Sequence, residues 1–325
     1  MVTVILAGVT AAIGVILLVR AFGPSSGTVP GGSYSNGKLA VVREACAGDA
    51  FACGGGHLVL MNADGTDARE IAVGSMPAWS PDGSRLAFTT GGADAIQVVD
   101  DDGASLTTIV RCEEPECLSV REPTWSPDGS QLAYVVERHV GGEGEVDIWV
   151  VNADGTGAHP VTACRYPDCS GNFAPAWSPV DDRIAMWSMV RCGDRWGPSL
   201  RLLDLTTGGI RQVVRCGKWS TGSRIGWSPD GRTLVFELST PDQTSNIFTE
   251  SAEGGPRTQV TFCDRTDCRW ADYPSWAPDG HWLLLAVKAA SEETFAVARV
   301  RPDGTEFTRL GIKGFMPVWQ PVRRE

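Results

Sequence analysis

Trp79-Ser80-Pro81-Asp82-Gly83 recurs as Trp125-Ser126-Pro127-Asp128-Gly129, Trp177-Ser178-Pro179, Trp227-Ser228-Pro229-Asp230-Gly231, Trp276-Ala277-Pro278-Asp279-Gly280 and, shortened, Trp319-Gln320-Pro321. Successive tryptophans lie 46, 52, 50, 49 and 43 residues apart, so the chain is built from one unit used six times.

Each unit reads alike. A short apolar approach ends in Trp, and a Pro-Asp-Gly turn follows. Proline presets φ there and glycine accepts positive φ. The next strand alternates, as in Arg85-Leu86-Ala87-Phe88 and Gln131-Leu132-Ala133-Tyr134. A third strand (Ile96-Gln97-Val98-Val99; Ile148-Trp149-Val150-Val151) leads through a second turn, Asn152-Ala153-Asp154-Gly155, to a fourth strand at His159-Pro160-Val161-Thr162. Four antiparallel strands per unit describe a propeller blade. The expected fold is therefore all-β, a six-bladed β-propeller of four-stranded blades. No Trp-Ser-Pro precedes the strand Lys38-Leu39-Ala40-Val41-Val42, and the missing innermost strand stands at Met316-Pro317-Val318-Trp319. The C-terminal strand should thus complete the N-terminal blade and close the ring. The blades are read as 38–73 plus 315–320, 76–111, 122–162, 174–215, 224–260 and 273–310.

The Pro-x-Trp-Ser-Pro-Asp-Gly run, followed by a strand and an Asp-Gly hairpin, resembles the TolB-type propeller repeat, a relative of the WD-repeat blade. The resemblance spans roughly residues 37 to 321. It implies a propeller fold and protein–protein contacts, but no particular chemistry, because propellers host many unrelated sites.

Net charge is −11 and no basic run occurs, which argues against a nucleic-acid partner. Residues Val2 to Val19 carry no charge and are about long enough to cross a bilayer as a helix. Residues 1–22 are read as an uncleaved anchor. The alternative is a signal peptide cut after Ala21, with small residues at Val19 and Ala21; the length of the apolar run and the missing basic flank before it weigh against cleavage. Arg20 on the far flank would by the positive-inside rule leave the domain in the cytoplasm, whereas the cysteines point outward. Residues 23–37, rich in Gly, Ser and Pro, read as a flexible tether, 38–321 as the propeller and 322–325 as a tail.

With strands alternating in direction, the short Pro-Asp-Gly and Asp-Gly turns share one face, and the long, dissimilar loops share the other. All ten cysteines fall on the variable face. Cys46 and Cys53, Cys112 and Cys117, Cys164 and Cys169, and Cys263 and Cys268 are near neighbours, which leaves Cys192 with Cys216. An even number of paired cysteines fits disulfides in an oxidising compartment. The rival is zinc, but each Cys-x4-Cys pair belongs to a different blade, so the thiolates do not converge and no metal site is expected. Small disulfide loops chiefly hold recognition loops in one shape, which lowers the entropic cost of binding.

The signature tryptophans read as packing between blades, and Asp82, Asp128, Asp230 and Asp279 as turn caps. Aromatic residues outside the motif (Tyr166, Phe173, Trp196, Trp219, Trp270) fall in variable-face loops, with Arg191, Arg195, Lys218, Arg265 and Arg269 among them. They suit a platform for a peptide or a sugar ring. The residue three before each signature Trp should stand at the channel mouth: Met76, Glu122, Ala174, Arg224, Tyr273 and Met316. Such a ring could orient a small polar ligand, and Glu122→Ala and Arg224→Ala are expected to weaken binding while leaving stability nearly intact.

The four histidines are scattered and no Gly-x-Ser-x-Gly elbow occurs, so no catalytic residue and no cofactor is assigned. The expected function is a membrane-anchored, extracytoplasmic binding scaffold for an envelope protein or peptide, or for a glycan. The alternative is a glycan- or small-molecule-active enzyme using the channel mouth. Convergent carboxylates in the mouth would favour the enzyme, and an apolar aromatic patch there would favour the binder.

Overall fold

The computed structural model describes residues 34–43, 56–113, 116–140, 143–217, 220–240, 244–263 and 268–323. The segment read as an anchor lies outside them. So does the disulfide expected between Cys46 and Cys53: Cys46 and Cys53 both fall in the stretch 44–55, outside the described residues. Among the described residues no helix is long and apolar enough to cross a membrane.

The described chain is all-β, with strands in a propeller-like arrangement. Four sheets have four strands each, antiparallel and in chain order. They start at Cys117–Trp125, Cys169–Trp177, Ser220–Trp227 and Trp270–Trp276. The fifth sheet has seven strands, because Arg69–Trp79 serves two neighbours. Its first half pairs with Gly56–Met61 (Leu60 opposite Arg69, Gly56 opposite Gly74), and its second half with Arg85–Thr90 (Gly74 opposite Thr90, Trp79 opposite Leu86). Gly74 is the crossover residue. A Cβ there would stand 2.4 Å from the Thr89 carbonyl oxygen and 2.6 Å from the Phe88 ring, so the close approach requires glycine.

The two chain ends meet in this sheet. Tyr34–Arg43 pairs antiparallel with Phe315–Arg323, with Leu39 opposite Trp319 and Ala40 opposite Val318. The pairing extends to Tyr34 opposite Arg323 and Ser35 opposite Val322, which corrects both termini of the expected domain. Residues 34–37, read as tether, and residues 322–323, read as tail, are strand. Neither segment has a strand-like pattern by itself; each is ordered by hydrogen bonds to the other. Gln320 stands where the other units carry Ser or Ala after Trp. Its amide donates to Gly83 O at 2.7 Å, and its Oε1 accepts from Lys38 N at 3.1 Å. Asn36 and Asp279 complete the join, with Nδ2 to Oδ2 at 2.9 Å.

The inner strands are apolar on both sides because each sheet is packed between two others, whereas outer strands such as Leu106–Arg111 are largely exposed. Along the first strand the residues divide by parity. Leu39 and Val41 pack with Ala277, Leu284 and Val297 of the last sheet, while Ala40 and Val42 pack with Trp79, Leu86 and Phe88 of the next unit. Fully burying each such side chain contributes roughly 1.5–3 kcal/mol. The signature tryptophans fill these seams. Trp125 Nε1 donates to Ala78 O at 3.0 Å and Trp227 Nε1 to Ala176 O at 2.9 Å, each bridging to the preceding unit.

The Pro-Asp-Gly turns repeat one network. Ser80 Oγ donates to Asp82 Oδ1 at 2.6 Å and accepts from Arg85 N at 3.0 Å. Ser126 does the same for Asp128 and Gln131, and Ser228 for Asp230 and Thr233. The Ser228 hydroxyl, with help from Arg232 N, holds the Asp230 carboxyl below its ordinary range. In Asp82 and Asp128 burial opposes the same bonds and is outweighed. These carboxylates cap turns.

Candidate functional site

Three features gather on the side of the loops: disulfide-braced connections, an exposed aromatic pair and the ring of residues three before each Trp.

The disulfides Cys112–Cys117, Cys164–Cys169, Cys192–Cys216 and Cys263–Cys268 are formed, and no described cysteine is free. These are four of the five pairs expected from the sequence. The fifth, Cys46 with Cys53, lies outside the described residues. Two of the loops are anchored by a shared device. Thr162 Oγ1 donates to Asp147 Oδ1 at 2.6 Å and accepts from Ile148 N at 2.9 Å, while Cys164 N donates to Asp147 Oδ1 at 2.8 Å. In the other loop Thr261 Oγ1 donates to Asn246 Oδ1 at 3.2 Å and accepts from Ile247 N at 2.9 Å, and Cys263 N donates to Asn246 Oδ1 at 2.8 Å. Sequence reasoning missed this clamp. Its signal is Val-Thr-x-Cys, at Val161-Thr162-Ala163-Cys164 and Val260-Thr261-Phe262-Cys263, with Asp-Ile or Asn-Ile upstream.

Beside the Cys164–Cys169 loop lies a cavity of about 310 Å³, lined by Glu145, Val146, Arg165, Tyr166 and the two cysteines among others. Arg165 Nη1 lies 3.3 Å from both Glu145 and Asp147, and Arg138 Nη2 lies 3.0 Å from Glu145. Tyr166 stacks on Trp196 with ring centroids 5.9 Å apart and planes 22° apart. Tyr166 is 68% exposed and Trp196 36%, so the pair forms an aromatic surface open to solvent. Trp196 belongs to the next sheet, opposite Arg191 on the Arg183–Cys192/Arg195–Asp204 hairpin, and Arg191 is exposed.

The other platform residues are not all brought together. Phe173 is not in a loop; it lies within Cys169–Trp177 opposite Trp187 and packs on the core. Trp270 opens a strand, half-buried, with Arg269 and Lys288 over its ring at 5.3 and 5.1 Å. Trp219, Lys218 and Arg265 lie outside the described residues.

The ring residues mark a β-bulge in each innermost strand. Met76, Glu122, Ala174, Tyr273 and Met316 have φ of 54°, 61°, 50°, 53° and 53°, and each precedes a proline. The ladder skips between Ser75 and Ala78, between Arg121 and Thr124, between Phe173 and Ala176, and between Asp272 and Ser275. At a bulge a proline gives up no ladder hydrogen bond, and the left-handed residue before it aims its side chain off the pleat. Such backbone in a non-glycine residue costs roughly 1–3 kcal/mol. In the fifth unit Arg224 is followed by Ile225.

The ring is not an open mouth. Met316 is fully buried and Met76 nearly so, with Met76 N donating to the Met316 sulfur at 3.2 Å, and Tyr273 packs on Phe315. What remains is a cavity of about 50 Å³ lined by Met76, Glu122, Ala174, Arg224 and the flanking prolines. Glu122 Oε2 accepts from Ala174 N at 2.5 Å, and Oε1 lies 3.4 Å from Arg121 Nε. Burial raises the Glu122 carboxyl despite the neighbouring arginines. Arg224 reaches across to Pro77 O at 2.6 Å, and burial pulls its guanidinium down to about 10, partly opposed by Glu122. Glu122 therefore supports the next unit's backbone. Glu122→Ala strands the Ala174 N–H and should cost about 1–3 kcal/mol, against the near-neutral outcome expected from the sequence.

A second acidic pair escaped sequence reasoning. Glu237, 6% exposed, and Asp272 face each other across the seam between Thr233–Ser239 and Trp270–Trp276. Ser245 donates its hydroxyl to Asp272. Burial lifts the Asp272 carboxyl to about 6, against the opposing hydrogen bonds of Ser245 and Glu237 and the charge of Lys288. Among the described residues no group of His, Cys, Asp and Glu could hold a metal ion.

Sheets stacked as blades, a sequence repeat at every Trp and a ring closed by the two chain ends define a β-propeller repeat protein. The model of the TolB beta propeller domain matches residues 90–322, and the chain belongs to that family. It is 30% identical over 101 residues to the "Uncharacterized peptidase YuxL" of Bacillus subtilis, a match covering 31% of this chain and 14% of that protein. Among solved structures, TolB from Acinetobacter baumannii aligns with a TM-score of 0.65 at 18% identity, over 87% of this chain and 66% of that one. Kuenenia stuttgartiensis hydrazine synthase aligns with a TM-score of 0.72 at 13% identity, over 89% of this chain and 47% of that one. At these identities the two structural likenesses are of fold, and the chain spans only part of each of these relatives.

Proposed function

We propose that this chain is a six-bladed propeller, tethered to the cytoplasmic membrane by residues 1–22 and facing the extracytoplasmic side, that acts as a binding scaffold for an envelope protein or peptide. The count of six takes the seven-stranded sheet as two blades sharing Arg69–Trp79. The observation that carries the binding role is the stacked Tyr166–Trp196 pair, exposed between two disulfide-braced connections, Cys164–Cys169 and Cys192–Cys216. Rigid aromatics give contact area with little ordering cost, and exposed aromatic anchors carry most of the energy in many interfaces.

A photo-crosslinking side chain at Tyr166, compared in cells with one at Leu106 beside the opposite turns, tests this. Adducts at Tyr166 alone, lost on Trp196→Ala, are expected; equal adducts at both positions would sink the reading. Intact mass of the membrane-extracted chain, alkylated with and without reduction, tests the tether and the compartment: retention of Met1 to Arg20 and no free thiol before reduction are expected.

The enzyme alternative draws on Glu122, whose raised pKa suits a general acid. Both of its oxygens are already engaged, and no second carboxylate lines that cavity.

A further inference from the structure

Two sheets share the Val-Thr-x-Cys clamp but finish their third strands differently. In the sheet that contains Thr233–Ser239, Val260 N donates to Ile247 O at 2.8 Å, and Thr261 Oγ1 accepts from Ile247 N. Two residues back, Ser245 opens the strand and its N–H donates to Arg269 O at 3.2 Å, so the chain after Cys268 closes that edge. In the sheet that contains Gln131–Val140, Val161 N and Thr162 Oγ1 hold Ile148 in the same way. There the third strand, Glu143–Asn152, runs on past the clamp, while its outer neighbour His159–Pro160 stands opposite Val150 and Trp149 alone. Backbone groups alternate in direction along a strand, so those of Val146 and Gly144 face outward as those of Ile148 do. Among the described residues no strand pairs with them on that side.

This open edge is one wall of the cavity of about 310 Å³, and Arg165, Tyr166 and the Cys164–Cys169 bridge stand around the rest. Gly144 widens the opening. It lies within the strand opposite His139, its φ is not positive, and a Cβ there would meet nothing within 4 Å, so neither turn geometry nor packing calls for glycine. Glycine weakens a strand, and one of its uses there is to admit a second backbone at close range. The charges at the cavity are balanced, with Arg138 and Arg165 against Glu145 and Asp147, and Arg165 Nη1 also donates to Cys164 O at 2.8 Å. A neutral floor beside an exposed ring favours an uncharged, apolar side chain.

We propose that an extended segment of a partner protein docks here as an added strand along Gly144 to Val146, with its backbone bonded to Val146 and an apolar side chain laid against Tyr166. In this mode of recognition main-chain bonds to the sheet edge supply affinity, and contacts of alternate side chains supply specificity. The proposal rests on the reading of Tyr166–Trp196 as a binding surface and adds how the partner is held.

The test repeats the in-cell photo-crosslinking at Tyr166 in the Val146→Pro chain, which lacks the outward N–H, with Val146→Ala as the control that keeps it. Proline is tolerated on a sheet edge, so the melting temperature should change little. Adducts should fall about tenfold or more with proline, through a lost hydrogen bond and a blocked edge, and persist with alanine. Undiminished adducts in Val146→Pro overturn the added strand and leave the aromatic surface standing, whereas no adduct in the parent chain overturns both. Adducts that prove to be glycan instead of protein also refute it. Should Val146→Pro not fold, hydrogen exchange decides: the amides of residues 144–146 should exchange more slowly in the purified Tyr166 adduct than in the free chain, and equal rates refute the proposal.

Discussion

The two edges of the sheets obey different rules. On the turn edge, Ser80/Asp82, Ser126/Asp128 and Ser228/Asp230 repeat one hydrogen-bond network almost atom for atom. On the bulge edge the same backbone conformation recurs with unrelated side chains: Met76, Glu122, Ala174, Tyr273 and Met316. The backbone is thus the repeated object, and side chains repeat only where they complete its hydrogen bonds. Where a bulge turns the side chain away from the ladder, composition is free to vary, and the unusual charges of this protein collect there and in the adjoining seams.

The comparison breaks most completely if the closing strand is removed. A chain ending before Phe315 loses the buried Met316, Val318 and Trp319 and exposes the partner face of Leu39 and Ala40. At roughly 3–5 kcal/mol for a buried Trp alone, cooperative melting by circular dichroism should disappear; a truncated chain melting like the full one would show that the ring does not depend on this join.

Next in size is the loop edge. Replacing Cys164 and Cys169 together by Ser should lower stability by about 2 kcal/mol from loop closure, measured by denaturant unfolding. The Tyr166–Trp196 stack should loosen as well, seen as altered Trp fluorescence. The Asp147–Thr162 clamp remains after that double substitution, so much larger destabilisation would mean the clamp cannot form without the disulfide.

The Glu237–Asp272 seam predicts a pH effect of comparable size. Asp272 titrates from about 6 in the fold against an ordinary 3.8. A raised acid contributes its stability fully below the lower value and loses it as pH rises through the higher one. Stability should therefore decline between about pH 4 and pH 6, by up to roughly 1.4 kcal/mol for each pH unit, read as a falling melting temperature. Asp272→Asn should flatten that decline, and an unchanged slope with Asn at this position assigns the effect elsewhere.

The smallest contrast is between two signature tryptophans. Trp125 donates to Ala78 O, whereas Trp79 Nε1 is buried without a partner. Trp125→Phe should cost about 1 kcal/mol more than Trp79→Phe, the net worth of one hydrogen bond, in paired denaturant titrations. Equal losses would reduce the indole's role to its volume.

Much of this was legible in the residues. The Trp spacing carried the propeller, Pro-Asp-Gly carried the turns, and neighbouring cysteines carried the local pairing of the described bridges. The bulge had a visible mark in the proline after Met76, Glu122, Ala174, Tyr273 and Met316, yet the positive φ before it did not follow, since a residue preceding proline ordinarily prefers extended backbone. Tyr166 and Trp196 could be named as loop aromatics, but their stacking could not, because one sits in the connection that enters a sheet and the other on a later strand of that sheet. Glu237 and Asp272 left no signal, being single carboxylates at positions where other units carry Thr89, Val135, Trp187 or Ala286, and Ser75 or Arg121.

By itself the sequence determined the repeat, the strand order, the turn chemistry and the face that bears the cysteines. Each of these depends on residues close along the chain, where backbone geometry and hydrogen bonding are local. Only the tertiary structure decided that Met316 is buried, that Glu122 holds the backbone of the next unit, and that Arg224 reaches Pro77, 147 residues away. Burial and charge pairing are set by whatever the closing ring brings against a side chain, and no local pattern encodes that neighbour.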